Sequence, residues 1–319
     1  MATLDMRTLG MRIAMVGLGD IAQKAYLPII STLSDVEVVL CSRNGSQLAR
    51  LAAGHRIRQF TTDIGELASM NIDAAFVHTA TESHESVVSR LLELGAHVYV
   101  DKPLAYTLEE SQRMVALAES KSRLLMVGFN RRFAPMYRAL VDKPDRRTVM
   151  MQKNRHAQAD LARRVVFDDF IHVVDTLRFL APGPIEEITV AGGSRSGRLD
   201  HVVLHLRGSG FNLLGSMNRD SGIAEEILEV TSPGNKWLVQ SLSKTTHYHA
   251  GVERVATAGD WDTVLWRRGF PQIIQHFLDC IRTNSPVRQS AQDALATHEL
   301  CEQIVTQLDA QNFSDAPAK

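Results

Sequence analysis

Two groups of side chains in this sequence have the chemistry to move protons. Asp101-Lys102-Pro103 directly follows an apolar run at residues 97–100 that reads as a strand. The carboxyl end of a strand in a doubly wound sheet is the rim where ligands sit. A lysine there could hydrogen-bond a substrate hydroxyl and pass its proton, and the proline fixes the chain direction beyond it. A lysine in a solvated loop is the other reading of the same residues. The second group is Asp168, His172 and Asp175, set among Phe167, Ile171, Val174 and Leu177. Spacings of four and three put all three on one face of a helix predicted over 166–180. A carboxylate beside an imidazole fixes its tautomer and orients it as a general acid or base; a helix-surface ion pair accounts for the same spacing. With one histidine and no second His/Cys cluster at ligand spacing, no metal is expected.

A third group binds rather than reacts. Gly17-Leu18-Gly19-Asp20-Ile21-Ala22 matches G-x-G-x-x-A between an apolar strand and a helix. The first glycine permits the tight turn, the second lets backbone approach a pyrophosphate, and the small Ala22 lets helix and strand pack closely. The helix start then offers unpaired N–H groups to the phosphates. The next strand ends at Cys41-Ser42-Arg43-Asn44, without the acid that NAD-specific domains place on the ribose 2′-hydroxyl. Ser42 and Arg43 suit a 2′-phosphate, so the reading leans toward NADP over NAD. An Arg43 that stacks on adenine would accept either. His84, in Thr79-Ala80-Thr81-Glu82-Ser83-His84, either touches the nicotinamide end or simply opens a helix.

The elements that must position these groups follow a rhythm. Short apolar runs at 13–18, 36–41, 74–78, 97–100 and 124–129 alternate with helical periods such as 83–94 and 108–119. Thr107 with Glu110 forms a capping box, and Gly95 is a helix C′ residue. Alternation of this kind implies parallel pairing through right-handed crossovers, hence an α/β doubly wound sheet. After about residue 130 the rhythm changes. A helix at 135–141 precedes an extended run at 148–154, and the 166–180 helix stops at Pro182-Gly183-Pro184. Extended runs at 188–191, 201–206, 211–217, 227–231 and 237–240 are separated by short turns, the spacing of antiparallel strands. Helices at 271–282 and 291–308 close the chain, the last seven residues or so reading as frayed. His247-Tyr248-His249 reads as a solvated loop.

Composition narrows the partners. Acids and bases nearly cancel, 36 against 35, so no global field favours nucleic acid or an anionic membrane. The chain reaches a strand by about Arg12, which leaves no room for a signal peptide's apolar region. Three scattered cysteines, Cys41, Cys280 and Cys301, form no CxxC pair. A cytoplasmic protein is expected. Lys153, Arg155, Arg163 and Arg164 lie near the acid–base residues in sequence; they suit an acidic or phosphorylated substrate, or are solvated surface.

Taken together these pieces resemble the Gfo/Idh/MocA family, which includes glucose–fructose oxidoreductase and inositol 2-dehydrogenase, and within it the MviM-type oxidoreductases. The resemblance covers nearly the whole chain. It rests on the Gly17 loop, Asp101-Lys102-Pro103-Leu104-Ala105, Gly128-Phe129-Asn130-Arg131-Arg132-Phe133, the helix with Asp168 and His172, and Arg268-Gly269-Phe270 with His276-Phe277. It implies a Rossmann domain over 1–130 and an α+β domain over 131–319. The second domain's large, mainly antiparallel sheet would support a homodimer or homotetramer. It implies that Lys102, Asp168 and His172 are catalytic. His172 would take the hydroxyl proton as hydride leaves the adjacent carbon, Lys102 would polarise or relay through the same oxygen, and Asp168 would orient one of them. Thr79, His84, Asp101, Lys102 and Asn130 join Gly17, Gly19, Asp20, Ile21, Ser42 and Arg43 as expected cofactor contacts. The implied activity is NAD(P)-dependent hydride transfer at a CH–OH group of a sugar, cyclitol or related polyol. Two departures stand out: Asp101 replaces the family's glutamate, and Phe170 stands where Asp-x-Gly-x-His often has glycine. An NAD-dependent glycosidase on the same scaffold and a regulator that senses dinucleotide without turnover are the alternatives. The retained Lys102, Asp168 and His172 speak against the sensor and do not separate dehydrogenase from glycosidase.

Overall fold

The computed structural model describes residues 10–311; the expected fraying at the last seven residues falls outside them. The chain forms two compact units, Met1–Gly128 with Ile273–Leu295, and Phe129–Gln272 with Ala296–Lys319. The cut lies two residues before the one expected, and a late segment of the chain returns to the first unit. Rhythm along a sequence carries no sign of such a return.

The first unit is a six-stranded parallel sheet of β1 (Met11–Val16), β2 (Val36–Cys41), β3 (Gln59–Thr61), β4 (Ala74–Val77), β5 (His97–Val100) and β6 (Leu125–Val127). Its order, β3-β2-β1-β4-β5-β6, is that of the Rossmann fold, with the direction of winding reversing between β1 and β4. Strands covered by helices on both faces read as unbroken apolar runs; β4, Ala-Ala-Phe-Val, is buried throughout. Gly95, at φ +84°, ends the helix His84–Glu93 in a Schellman motif: its N–H reaches Leu92 O, and that of Ala96 reaches Leu91 O. Thr107 caps the helix Leu108–Ser120 by accepting from Glu110 N. The capping box is altered, because the Thr107 hydroxyl itself donates to the Glu110 carboxylate at 2.9 Å. The returning segment brings Phe277 edge-on to Phe76 and Tyr99, ring centroids 5.5 and 5.7 Å apart, and Arg282 pairs with Asp35.

The second unit is an eight-stranded sheet of β7 (Thr148–Asn154), β8 (Glu187–Arg195), β9 (Arg198–Gly208), β10 (Phe211–Asn218), β11 (Glu225–Ser232), β12 (Asn235–Gln240), β13 (Lys244–His249) and β14 (Val252–Thr257). The order is β14-β13-β12-β11-β7-β10-β9-β8, antiparallel except where β7 and β10 run parallel. One face packs on the helix Ile171–Leu180. A Cβ on Gly215 of β10 would come within 2.7 Å of Val173 Cγ1, so glycine sets how close that helix lies.

Two expectations fail here. His247-Tyr248-His249 is not a loop but the end of β13, with His247 stacked on Trp237 at 4.8 Å. Lys-Thr-Thr-His-Tyr-His has no apolar alternation and β14 is exposed along its length, so neither strand carries a burial signal. The predicted 166–180 helix forms without a break but is not regular. A π turn, Val166–Phe170, joins Ala162–Val165 to Ile171–Leu180. The wider turn shifts the phase of everything before it, so Asp168 does not share a regular α face with His172 and Asp175.

Candidate functional site

The glycine loop is shaped by β4 below it. Gly17 has φ +85°, and a Cβ there would meet Thr79 N at 2.6 Å and His78 C at 2.7 Å. Gly17→Ala is therefore expected to cost at least ~1–3 kcal/mol from backbone strain alone, read by thermal unfolding together with loss of dinucleotide affinity. Gly19 differs: its nearest neighbour would be His78 O at 3.9 Å. The space a Cβ would fill opens into a cavity of about 600 Å³, within the range of small-ligand pockets.

That cavity lies at the carboxyl ends of β1, β2 and β4, lined by Gly17, Gly19, Ser42, Arg43, His78 and Thr79 among others. His78 is 4% exposed, and neither its ring nitrogens nor Thr79 Oγ1 has a hydrogen-bond partner among the described residues. Burial first, and His84 second, push the His78 pKa down to about 3, so the ring is neutral. Buried polar atoms without partners in a pocket wall are groups a polar ligand satisfies. A dinucleotide thus fits on the geometry of Gly19 and the unmet valences of His78 and Thr79. The sequence reading missed His78, although its place as first residue after β4, at the sheet's rim, was available.

Other expected contacts fare differently. Asp20 and Ile21 open the helix after the loop but do not line the cavity, and Asp20 is exposed and pairs with Lys24 at 2.7 Å. His84 opens its helix as expected, yet its ring is buried and outside the cavity wall. Nδ1 lies 2.9 Å from Pro103 O and Nε2 lies 3.2 Å from Thr79 O, so the ring ties the Lys102-Pro103 turn to the end of β4. Asp101 also lies outside that wall. It accepts from Tyr26 OH at 3.3 Å, and Tyr26 OH meets Tyr99 OH at 2.8 Å. Burial raises the Asp101 pKa against the nearby charge of Lys102. Gly128 makes room for this chain, since a Cβ there would come within 2.8 Å of Tyr99 OH. Lys102 follows, half-buried, on a turn whose Lys102–Pro103 peptide is cis.

Within the second unit, the inner face of the sheet turns from apolar to charged at one end. Val149, Met151 and Lys153 alternate inward along β7, and Leu213, Gly215 and Met217 lead along β10 to Arg219. Glu226 of β11 is the cross-strand partner of Lys153. Asp169, on the π turn, accepts from Lys153, from Arg155 Nε at 2.6 Å and from Arg219 Nη1 at 2.6 Å. Burial alone would raise its pKa, but the hydrogen bonds from Arg155 and the adjacent cations hold it well below the usual carboxylate range. Lys153, 3% exposed, is pushed down to about 7 by burial and then by Arg131. Of the four basic residues noted in the sequence, Lys153 is thus core, Arg155 joins it, Arg163 pairs with Glu302 at 2.7 Å, and Arg164 is exposed.

Arg131 reaches both partners that matter. Its Nε and Nη2 fork onto Glu226 at 2.8 and 2.7 Å, and its Nη1 donates to His172 Nδ1 at 2.8 Å. Tyr137 OH adds a third donor to Glu226. Burial opposes ionisation of Glu226, but Arg131 prevails and holds the carboxyl at about 2. A guanidinium has no lone pair to offer, so Nδ1 of His172 is an acceptor and the neutral ring carries its hydrogen on Nε2. Asp168 is half-buried on the π turn. Asp175 is instead buried against Arg132, with Thr297 Oγ1 donating to it at 3.0 Å. Asn130 is buried and its amide donates to Arg268 O at 2.8 Å.

Residues 11–129 match the oxidoreductase family with an NAD-binding Rossmann fold, and residues 135–249 match the YceM-like C-terminal domain. Over 308 residues the chain is 35% identical to YceM of Salmonella typhimurium, spanning 94% of this chain and 98% of YceM. The crystal structure of the dehydrogenase MviM from Clostridium difficile superposes with a TM-score of 0.87 at 33% identity, covering 93% of this chain and 99% of MviM. Inositol 2-dehydrogenase 3 of Saccharopolyspora erythraea is 25% identical over 307 residues, 91% of this chain and 90% of that protein. Among the described residues no helix is long and apolar enough to cross a membrane. A Rossmann sheet with a cavity walled by its glycine loop, a YceM-like second unit and relatives matched over nearly their whole length place the chain in the Gfo/Idh/MocA family of NAD-binding oxidoreductases.

Proposed function

We propose that this chain transfers hydride between a nicotinamide dinucleotide and a CH–OH group of a sugar, cyclitol or related polyol. The observation that carries the reading is the cavity behind Gly17 and Gly19, with unpartnered His78 and Thr79 in its wall. The likeness to an inositol dehydrogenase supports the substrate class. When bound, the nicotinamide accepts or returns the hydride. Lys102, Asp168 and His172 are the proposed catalytic residues, with one change of role. Because Arg131 holds His172 Nδ1 as an acceptor, Nε2–H is a donor; His172 polarises the reacting oxygen, and Lys102 takes or returns its proton. Asp168 orients one of them.

Reduced-cofactor absorbance over a panel of polyols and glycosides tests the activity. Net NAD(P)H formation supports it, whereas sugar release without net reduction would establish the glycosidase instead. NADP is the proposed preference, on the presence of Ser42 and Arg43 in the cavity wall. A charge-assisted bond is worth about 1.5–3 kcal/mol, so Arg43→Ala should raise KM for NADP roughly tenfold or more and leave that for NAD nearly unchanged.

A homodimer or homotetramer and a cytoplasmic location belong to the same proposal. Met150 and Val203 stand exposed on the outer face of the second unit's sheet, beside Leu214 and Ile227. Val203→Glu is expected to shift the protein to monomer by light scattering, with unchanged circular dichroism. The three cysteines are buried thiols without disulfides, which suits a reducing compartment.

A further inference from the structure

The charged end of the second unit's sheet holds more positive charge than its own carboxylates neutralise. Arg131, Lys153, Arg155 and Arg219 are set against Asp169 and Glu226. Glu226 is taken by Arg131 and Tyr137, and Asp169 by the other three cations. Arg268, exposed at the rim of this cluster, adds a fifth cation within electrostatic reach of Arg131, Glu226 and Arg155 and without an ion pair among the described residues. Even with Asp168 of the same π turn counted, cations outnumber carboxylates.

Such an excess is unstable by itself. Charges withdrawn from water are paired, or they neutralise. Guanidiniums stay charged in proteins, and the one group here able to give way, Lys153, is the one whose proton is loosened. Burial and Arg131 depress Arg268 in the same sense. A neutral polyol brings nothing that relieves this.

We propose that this cluster is a subsite for an anionic group on the substrate, a carboxylate or a phosphate ester. Arg155 and Arg268 are the groups that touch it. Both reach solvent, Arg155 with 34% of its side chain exposed. Arg155 spends Nε and Nη2 on Asp169 and keeps Nη1 for a ligand. Arg131 lies behind them and carries the charge balance to His172 through its Nη1 hydrogen bond. The inference rests on the proposal that His172 faces the reacting carbon, and it turns the expected substrate from a neutral polyol into an acidic or phosphorylated one.

The test is calorimetric binding to the full chain saturated with dinucleotide, so that the phosphate loop is occupied. The probes are D-gluconate, inorganic phosphate and myo-inositol. Gluconate or phosphate is expected to bind more tightly than myo-inositol, and Arg268→Gln to weaken the anion at least about tenfold. Arg268→Lys, which keeps the charge, should recover part of the loss. Dinucleotide affinity and thermal midpoint should not move in either variant. Preference for gluconate assigns a carboxylate, and preference for phosphate assigns an ester. Equal affinity of wild type and Arg268→Gln for both anions, or tighter binding of myo-inositol than of either, overturns the subsite. Binding needs no turnover, so the two readings fail separately. Anion binding lost in Arg268→Gln without any hydride transfer keeps the subsite and ends the oxidoreductase reading; oxidation of neutral polyols alone does the reverse.

Discussion

Asp169→Ala is expected to destabilise the protein by about 3–5 kcal/mol, the cost of stripping the partner from buried charge. One carboxylate answers Lys153, Arg155 and Arg219 at once, and its removal leaves them facing each other and Arg131. Asp168→Asn, one position away and half-buried, should change stability by less than about 1 kcal/mol. Urea denaturation of the two variants side by side measures the contrast. The pH dependence has a definite sign. Glu226 falls from an ordinary value of 4.5 to about 2 on folding. Its stabilisation is full above pH 4.5 and is lost as pH drops toward 2, with Asp169 following at still lower pH. Lys153 acts with the same sign over a higher range of pH. Its folded value of about 7 lies below the ordinary 10.5, so between those values the unfolded chain binds more protons and stability rises with pH.

Lys102→Met is expected to lower kcat by about 10²–10⁴, the usual worth of a positioned acid or base. Thermal midpoint and dinucleotide affinity should stay within error, because Lys102 lies outside the cofactor cavity wall. The division of labour with His172 adds a sharper readout. If His172 presents Nε2–H and Lys102 moves the proton, the ionisation that governs kcat disappears from the pH profile of Lys102→Met. It persists in that of His172→Asn, at reduced rate. The opposite pattern would return the base to His172 and assign Arg131 a different task.

How much of this was readable from the sequence depended on what kind of signal each residue carries. The glycine loop, the strand–helix alternation and the six apolar runs of the second unit that became β7 to β12 are local patterns, and they located most of the fold. That Lys153, Arg219 and Glu226 meet in one cluster was not legible, for a physical reason. Each continues the inward phase of an apolar strand, and composition says such residues belong outside; only cross-strand register shows that they meet. The π turn has no periodic signature of its own, so Asp169, rather than Asp168, as the hub of the charge cluster was not legible. The carbonyl contacts of His84 and Asn130, to Pro103, Thr79 and Arg268, come from distant or cross-turn segments and leave no local pattern in the sequence.

The returning segment Ile273–Leu295 has a consequence for synthesis. Phe76 and Tyr99 leave the ribosome long before Phe277, which completes their packing. At about 5–20 residues per second, roughly seven to thirty seconds separate Gly128 from Ile273. During that interval the nucleotide-binding half is a nascent chain with an uncovered aromatic cluster, a substrate for chaperones. It becomes a finished domain only when nearly the whole polypeptide has emerged. The same logic applies to gene fusion and domain exchange: a cofactor module lifted from this protein by cutting once after Gly128 leaves its lid on the other fragment.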